Sequence, residues 1–164
     1  MGVVEDIDIQ YAKKVIERSE KLLKATVDEV MTKNVITVDY DDPAAKATRI
    51  ILENGFLSLL VLKEGKPFNM ISVFELLRIG YEETLSLDKD YLTTKIGELI
   101  KNKKFYYLPS GTLLKDAVNF MMDRKLRTIP IITDNIVNGI LSIIDMVQWY
   151  RLNHEEVLFG KKPR

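Results

Sequence analysis

Ser142 and Asp145 are the side chains of this 164-residue chain best placed, by type and spacing, to do chemistry. They follow Gly139-Ile140-Leu141, where an apolar run gives way to a helical pattern. A hydroxyl with a carboxylate three residues on can cap that helix, each side chain satisfying a free backbone N–H. The same geometry suits an oxygen-rich anionic ligand, because a helix start presents N–H groups and the positive end of the helix dipole. A carboxylate one turn in can accept both hydroxyls of a ribose through charge-assisted hydrogen bonds. Aspartate is shorter than glutamate and less suited to reach back as a capping partner. Ser72 and Glu75 repeat the spacing, but Ser-x-x-Glu is the ordinary capping box. Arg127 offers a planar guanidinium, which suits phosphate; it also reads as a solvated strand-end residue in the run Arg124-Lys125-Leu126-Arg127.

Other chemistries find little material. There is no cysteine, so disulfides, thiolate nucleophiles and cysteine-based zinc sites are out. The single histidine, His154, reads as a surface residue near a helix end, and any histidine metal cluster or Ser/His/Asp relay would have to be built around it alone. Lys+Arg and Asp+Glu are both 24, and a zero balance argues against a general binder of nucleic acid or anionic membrane. No apolar run is long enough to span a bilayer. The start, Met1-Gly2-Val3-Val4-Glu5-Asp6, is acidic and lacks a signal-peptide core, and Asp6 sits where a myristoylation motif wants Ser or Thr. A cytoplasmic protein with no metal is expected.

The elements that must position these residues come in duplicate. Asn69-Met70-Ile71-Ser72-Val73-Phe74-Glu75-Leu76 aligns with Gly139-Ile140-Leu141-Ser142-Ile143-Ile144-Asp145-Met146, and Leu59-Leu60-Val61-Leu62 with Ile129-Pro130-Ile131-Ile132, at an offset of 70 residues. A repeat of that length is a duplicated packing unit. The pattern predicts an amphipathic helix over 1–25, with Ile9, Ala12, Val15, Ile16, Leu22 and Leu23 as its apolar stripe, a first unit over 26–79, a connector over 80–94, a second unit over 95–152 and a C-terminal tail over 153–164 that is basic from Gly160 on. Each unit reads as a leading helical turn (Val27–Met31, Ile96–Ile100) and then β-α-β-β-α. Its first strand is Val35–Val38 or Phe105–Leu108, and its first helix is capped by Asp42 or Thr112. One residue of slippage separates the two units between turn and first strand. A sheet of this size cannot stand alone, so two units back to back, burying both faces around one core, give an α/β protein. Pockets favour such interfaces.

The order Val-x-Glu-Val-Met, Ile-Thr-Val, Pro-Ile-Ile and Gly-Ile-Leu-Ser-x-x-Asp-Met resembles the cystathionine-β-synthase (CBS) domain, here as the tandem pair called a Bateman module, over residues 26–152. The resemblance implies two CBS repeats packed sheet to sheet in a pseudo-two-fold module, plus the N-terminal helix. It implies a regulatory rather than catalytic role. The implied ligand contains adenosine (AMP, ADP, ATP or S-adenosylmethionine), binds in clefts between the repeats and signals through conformational change; no cofactor is required. By the family pattern Asp145 holds the ribose, with Ser142 and Arg127 toward the phosphates. Tyr106, Tyr107 and Leu108 line the adenine end, and Thr128, Ile129, Pro130, Gly139 and Ile140 complete the cleft. The second cleft, with Thr37, Val38, Ser72 and Glu75, departs from the pattern. Asn69 replaces the glycine, Glu75 the aspartate, Leu60 the proline and Leu57 the arginine, so this cleft is expected to be empty or altered. Such modules usually form homodimers and act on an effector protein, here unidentified. The alternative is a dimeric interaction scaffold whose clefts bind nothing.

Overall fold

The computed structural model describes residues 2–88 and 90–159. The helix α1 (Gly2–Lys24) leads to a 3₁₀ turn at Val27–Glu29. Unit one then runs β1 (Thr37–Asp39), α2 (Ala44–Asn54), β2 (Ser58–Lys63), β3 (Lys66–Ser72) and α3 (Val73–Leu85). Unit two runs α4 (Ile96–Ile100), α5 (Leu114–Asp123), β4 (Thr128–Thr133), β5 (Ile136–Ser142) and α6 (Ile143–Phe159). In unit one β1 lies parallel to β2, and β2 antiparallel to β3. In unit two β4 and β5 form the matching hairpin. Both hairpins turn through residues in the left-handed region, Glu64-Gly65 and Asp134-Asn135, the backbone that two-residue turns require. The expected first strand of unit two shrinks to one parallel bridge, Leu108 to Ile131. Pro109 follows at once, and proline has no N–H to extend a ladder.

Side chains alternate along each strand. Leu59, Val61 and Ile71 face the helices of unit one, and Ile129, Ile131 and Leu141 those of unit two. Leu60 and Met70, on the opposite face, are also buried, because there the two units meet sheet to sheet. The apolar interior therefore divides into two clusters, one per unit, rather than the single core expected.

Each cluster is completed by the other unit's leading turn. Val27, fully buried, packs with Leu114, Ala117, Met121 and Ile129 of unit two. Ile96 and Ile100, also fully buried, pack with Val38, Ala47, Ile51 and Val61 of unit one. The backbone follows the exchange. Val27 N donates to Thr112 O at 2.9 Å and Leu114 N to Ala25 O at 2.8 Å, while Ile96 N donates to Asp42 O at 2.8 Å and Ala44 N to Thr94 O at 2.9 Å. This removes the need for the expected caps. The first N–H of α2 and of α5 already has a carbonyl from the opposing leader, so Pro43 and Leu113 stand at the cap positions without side-chain caps. Asp42 instead accepts from Asp39 N and Lys46 Nζ, both at 2.8 Å, and Thr112 Oγ1 donates to Pro109 O.

The helix α1 lies against α5 and α6. The side that packs carries Val15, Arg18 and Leu22; Ile9, Ile16 and Leu23 of the expected stripe are each more than half exposed. The segment 80–94 is partly helical, since α3 continues to Leu85, and Asp90 then organises a turn by accepting from Leu92 N and Thr93 Oγ1. The basic end of the tail, 160–164, lies outside the described residues. Among the described residues no helix is long and apolar enough to cross a membrane, and no group of acidic or histidine side chains could hold a metal ion. His154 is exposed, its Nδ1 2.6 Å from Tyr150 O.

Candidate functional site

Two clefts open where the sheets meet. The first, of about 300 Å³, is walled on one side by the start of α6 and on the other by the segment leading into β1. That volume is at the lower end of the range for small-molecule pockets. Ser142, Asp145, Arg127, Thr128 and Ile140 line it from unit two; Asn34, Val35, Ile36 and Ser58 line it from unit one. Asp145 N donates to Ser142 Oγ at 3.1 Å, so the serine caps α6, and its own O–H has no acceptor among the described residues. The Asp145 carboxylate has no hydrogen-bond or ion-pair partner among the described residues, and neither has the Arg127 guanidinium. A carboxylate, a hydroxyl and a guanidinium, none committed elsewhere, thus share one cavity wall. These groups can accept from a diol and donate to an anion.

Gly139 explains how the far wall is held. Thr32 and Ile140 exchange backbone hydrogen bonds, Thr32 N to Ile140 O at 2.8 Å and Ile140 N to Thr32 O at 2.9 Å. This bridge clamps the segment ahead of β1 onto β5. A Cβ at position 139 would lie 2.7 Å from Met31 Sδ and 2.9 Å from Thr32 O. Glycine is needed here for close backbone approach, not for an unusual φ.

The second cleft, of about 170 Å³, is built from the start of α3 and the segment following α4. Here Asn69 does with its side chain what the Thr32–Ile140 bridge does in the first cleft. It is 3 % exposed; its Nδ2 donates to Lys103 O at 2.7 Å, and its Oδ1 accepts from Met70 N at 2.8 Å. Glu75 is fully engaged. Its Oε2 accepts from Ser72 N at 2.8 Å and Ser72 Oγ at 2.5 Å, and its Oε1 lies 3.0 Å from Lys103 Nζ. Burial pushes the Glu75 carboxyl up, but the Ser72 hydroxyl, the Ser72 N–H and the Lys103 ammonium together outweigh it and hold the group below its ordinary value. Glu75 therefore stays ionised, with both oxygens occupied.

The sequence-predicted set is divided between the clefts and the core. Tyr106 lines the second cleft with Ser72, not the first with Asp145. Tyr107 is half exposed and stacks against Phe105 at 5.2 Å. Leu108 and Ile129 pack into unit two, Pro130 is buried opposite Ile140 in the hairpin, and Gly139 is buried under Met31. Thr37 pairs with Leu60 and Val38 belongs to the core of unit one; neither lines either cleft. The exchange of leaders explains the correction. The chain ahead of β1 crosses to unit two, so Asn34, Val35 and Ile36 face Asp145, while the equivalent Lys103, Lys104 and Tyr106 face Ser72. These unit-one residues were missed, and the one signal available was the 70-residue offset applied across units instead of within them.

The CBS-domain family model matches residues 27–82 and 96–151. The chain belongs to the CBS-domain family. It carries a tandem CBS pair, and pairs of this kind are typically regulatory. An uncharacterized protein of Methanocaldococcus jannaschii is 24% identical over 158 residues, and the match covers 91% of this chain and 37% of that protein. The chain thus spans a little over a third of that relative's length. Among solved structures, CBSX2 in complex with AMP superposes with a TM-score of 0.66 at 22% identity, over 77% of this chain and 96% of that one. CbpB in complex with c-di-AMP superposes with a TM-score of 0.71 at 18% identity, over 91% and 99%. At these identities the likeness establishes the fold.

Proposed function

We propose that this CBS pair is a regulatory sensor that binds an adenine nucleotide, or another adenosine-containing ligand, in the cleft carrying Asp145. The reading rests on one observation: the Asp145 carboxylate lines a cleft and has no partner among the described residues, whereas Glu75 at the matching position is consumed by Ser72 and Lys103. Asp145 accepts the ribose hydroxyls, the Ser142 hydroxyl and Arg127 meet the phosphate, and Asn34, Val35 and Ile36 flank the base. The AMP and c-di-AMP held by the two related structures support an adenine ligand. Because both units wall the cleft, a bound ligand favours one relative arrangement of them, which an effector protein can sense. No catalytic step is assigned to any residue. Self-association into a homodimer belongs to the same reading: Phe74, Leu77 and Tyr81 on α3 and Ile144 and Val147 on α6 are exposed apolar side chains at helical spacing.

Thermal shift of the wild type and Asp145→Ala with AMP, ADP, ATP, c-di-AMP and S-adenosylmethionine tests the reading. A ligand at a hundredfold excess over Kd stabilises by ~2.7 kcal/mol, a rise of roughly 5–10 °C for a chain of this size. The rise should vanish in Asp145→Ala. Equal shifts in both proteins would refute the site, and silence with all five ligands would favour a ligand-free scaffold.

A further inference from the structure

The second cleft has lost its means of holding a ribose but has gained cations. Among the described residues no carboxylate lines this cavity, whereas Lys104, Lys125 and Arg127 do, together with Ser58; the Ser72 hydroxyl is already given to Glu75. Lys103 is neutralised by Glu75; among the described residues the other three cations form no ion pair with an acidic group, and Lys104 Nζ lies 5.2 Å from the Tyr106 ring. In a chain of zero net charge, three unneutralised cations on one small cavity make a local positive site.

Backbone conformation is an independent observation. Lys125, two residues past the end of α5, has φ 54, in the left-handed region. At the matching point of unit one, Gly55 ends α2 with φ 67. Glycine is the ordinary residue for that position, and a non-glycine residue there is strained. In unit two the residue at this point, Lys125, is among those that line the second cleft. Strained backbone of this kind concentrates at functional sites.

We infer that the second cleft is an anion site for a phosphate chain, with Lys104, Lys125 and Arg127 as its ligands. The clefts share Leu57, Ser58, Arg127 and Thr128, so a phosphate chain can arrive in two ways. It can be the tail of a nucleotide seated on Asp145, in which case this inference rests on the function proposed above and makes that ligand a polyphosphate. Alternatively it can be a free inorganic chain.

The test is calorimetric titration of wild type, Lys125→Gly and Lys104→Ala with sodium pyrophosphate, AMP and ATP, at low ionic strength without divalent cation. Lys125→Gly should melt at or above the wild-type temperature, since glycine takes the left-handed conformation freely; lost binding there is not lost folding. Pyrophosphate affinity should fall at least tenfold in both variants, with AMP affinity unchanged. If ATP binds the wild type tighter than AMP and the variants erase that margin, the anion is the nucleotide's own tail. If only pyrophosphate binding changes, the occupant is a free chain. The inference is overturned if neither pyrophosphate affinity nor the ATP-over-AMP margin differs between wild type and variants. Failure of AMP to bind at Asp145 would leave the pyrophosphate arm intact, so the two readings fail separately.

Discussion

Gly139→Ala should both destabilise the protein and deform the first cleft. The added Cβ would lie 2.7 Å from Met31 Sδ, 2.8 Å from Met31 Cγ and 2.9 Å from Thr32 O. Met31 ends in a flexible thioether and can rotate away. Thr32 O cannot move alone, because it accepts from Ile140 N while Thr32 N donates back to Ile140 O. Overpacking of this kind costs ~1–3 kcal/mol, and loosening one bond of the pair adds ~0.5–1.5 kcal/mol. The expected loss is therefore about 2–4 kcal/mol, or a fall in Tm of roughly 4–15 °C for a chain of this size. Urea titration should show a lower midpoint with an unchanged slope, the mark of altered stability without altered compactness. Asn34, Val35 and Ile36 follow Thr32 directly and form the cleft wall, so affinity for any ligand in that cleft should fall more than tenfold. Met31→Ala in the same chain should recover only the thioether part, giving a favourable coupling in a double-mutant cycle. A Gly139→Ala protein with wild-type Tm and wild-type ligand affinity would refute the argument.

Ile100→Ala should open unit one and Val27→Ala unit two, because each leader packs in the opposite cluster. The isoleucine truncation should cost ~2–5 kcal/mol, and hydrogen exchange should lose protection in β2 and β3 for the first variant and in β4 and β5 for the second. Asn69→Ala strips partners from Lys103 O and Met70 N at a buried position, and denaturant unfolding should show a loss of ~1–3 kcal/mol. The folded-state pKa of Glu75 lies below its ordinary 4.5; its stabilising contribution is complete above that value and fades as pH falls through the folded pKa. Melting curves taken from pH 6 down to pH 3 should therefore decline less steeply for Glu75→Gln than for wild type. Some slope will remain, because the hydrogen bond from Ser110 and others hold Asp28 low as well.

Local structure was legible where the chain states it locally. The hairpins, the helices after Ser72 and Ser142, and the asymmetry between Asp145 and Glu75 all follow from short-range pattern. The leader exchange was not legible, because Val27 and Ile96 look like the apolar start of their own units and nothing nearby says which sheet they cover. That one non-local fact moved Tyr106 to the other cleft and brought in Val35 and Ile36. The role of Asn69 was hidden for the same reason: its partner, Lys103 O, is 34 residues away. The caps at Asp42 and Thr112 were misread because backbone carbonyls from distant residues had already satisfied those helix starts.

The leader exchange also constrains the order in which the chain can acquire structure during synthesis. Unit one emerges first, yet its interior is incomplete until Ile96 and Ile100 have followed. The first leader must wait longer, since Asp28 finds Gly111 only across 83 residues. Closing such long loops precedes the contacts that reward it, which slows folding. Neither half has a complete interior by itself, so the two halves are expected to unfold in one cooperative transition, with coincident melting of both units as the check.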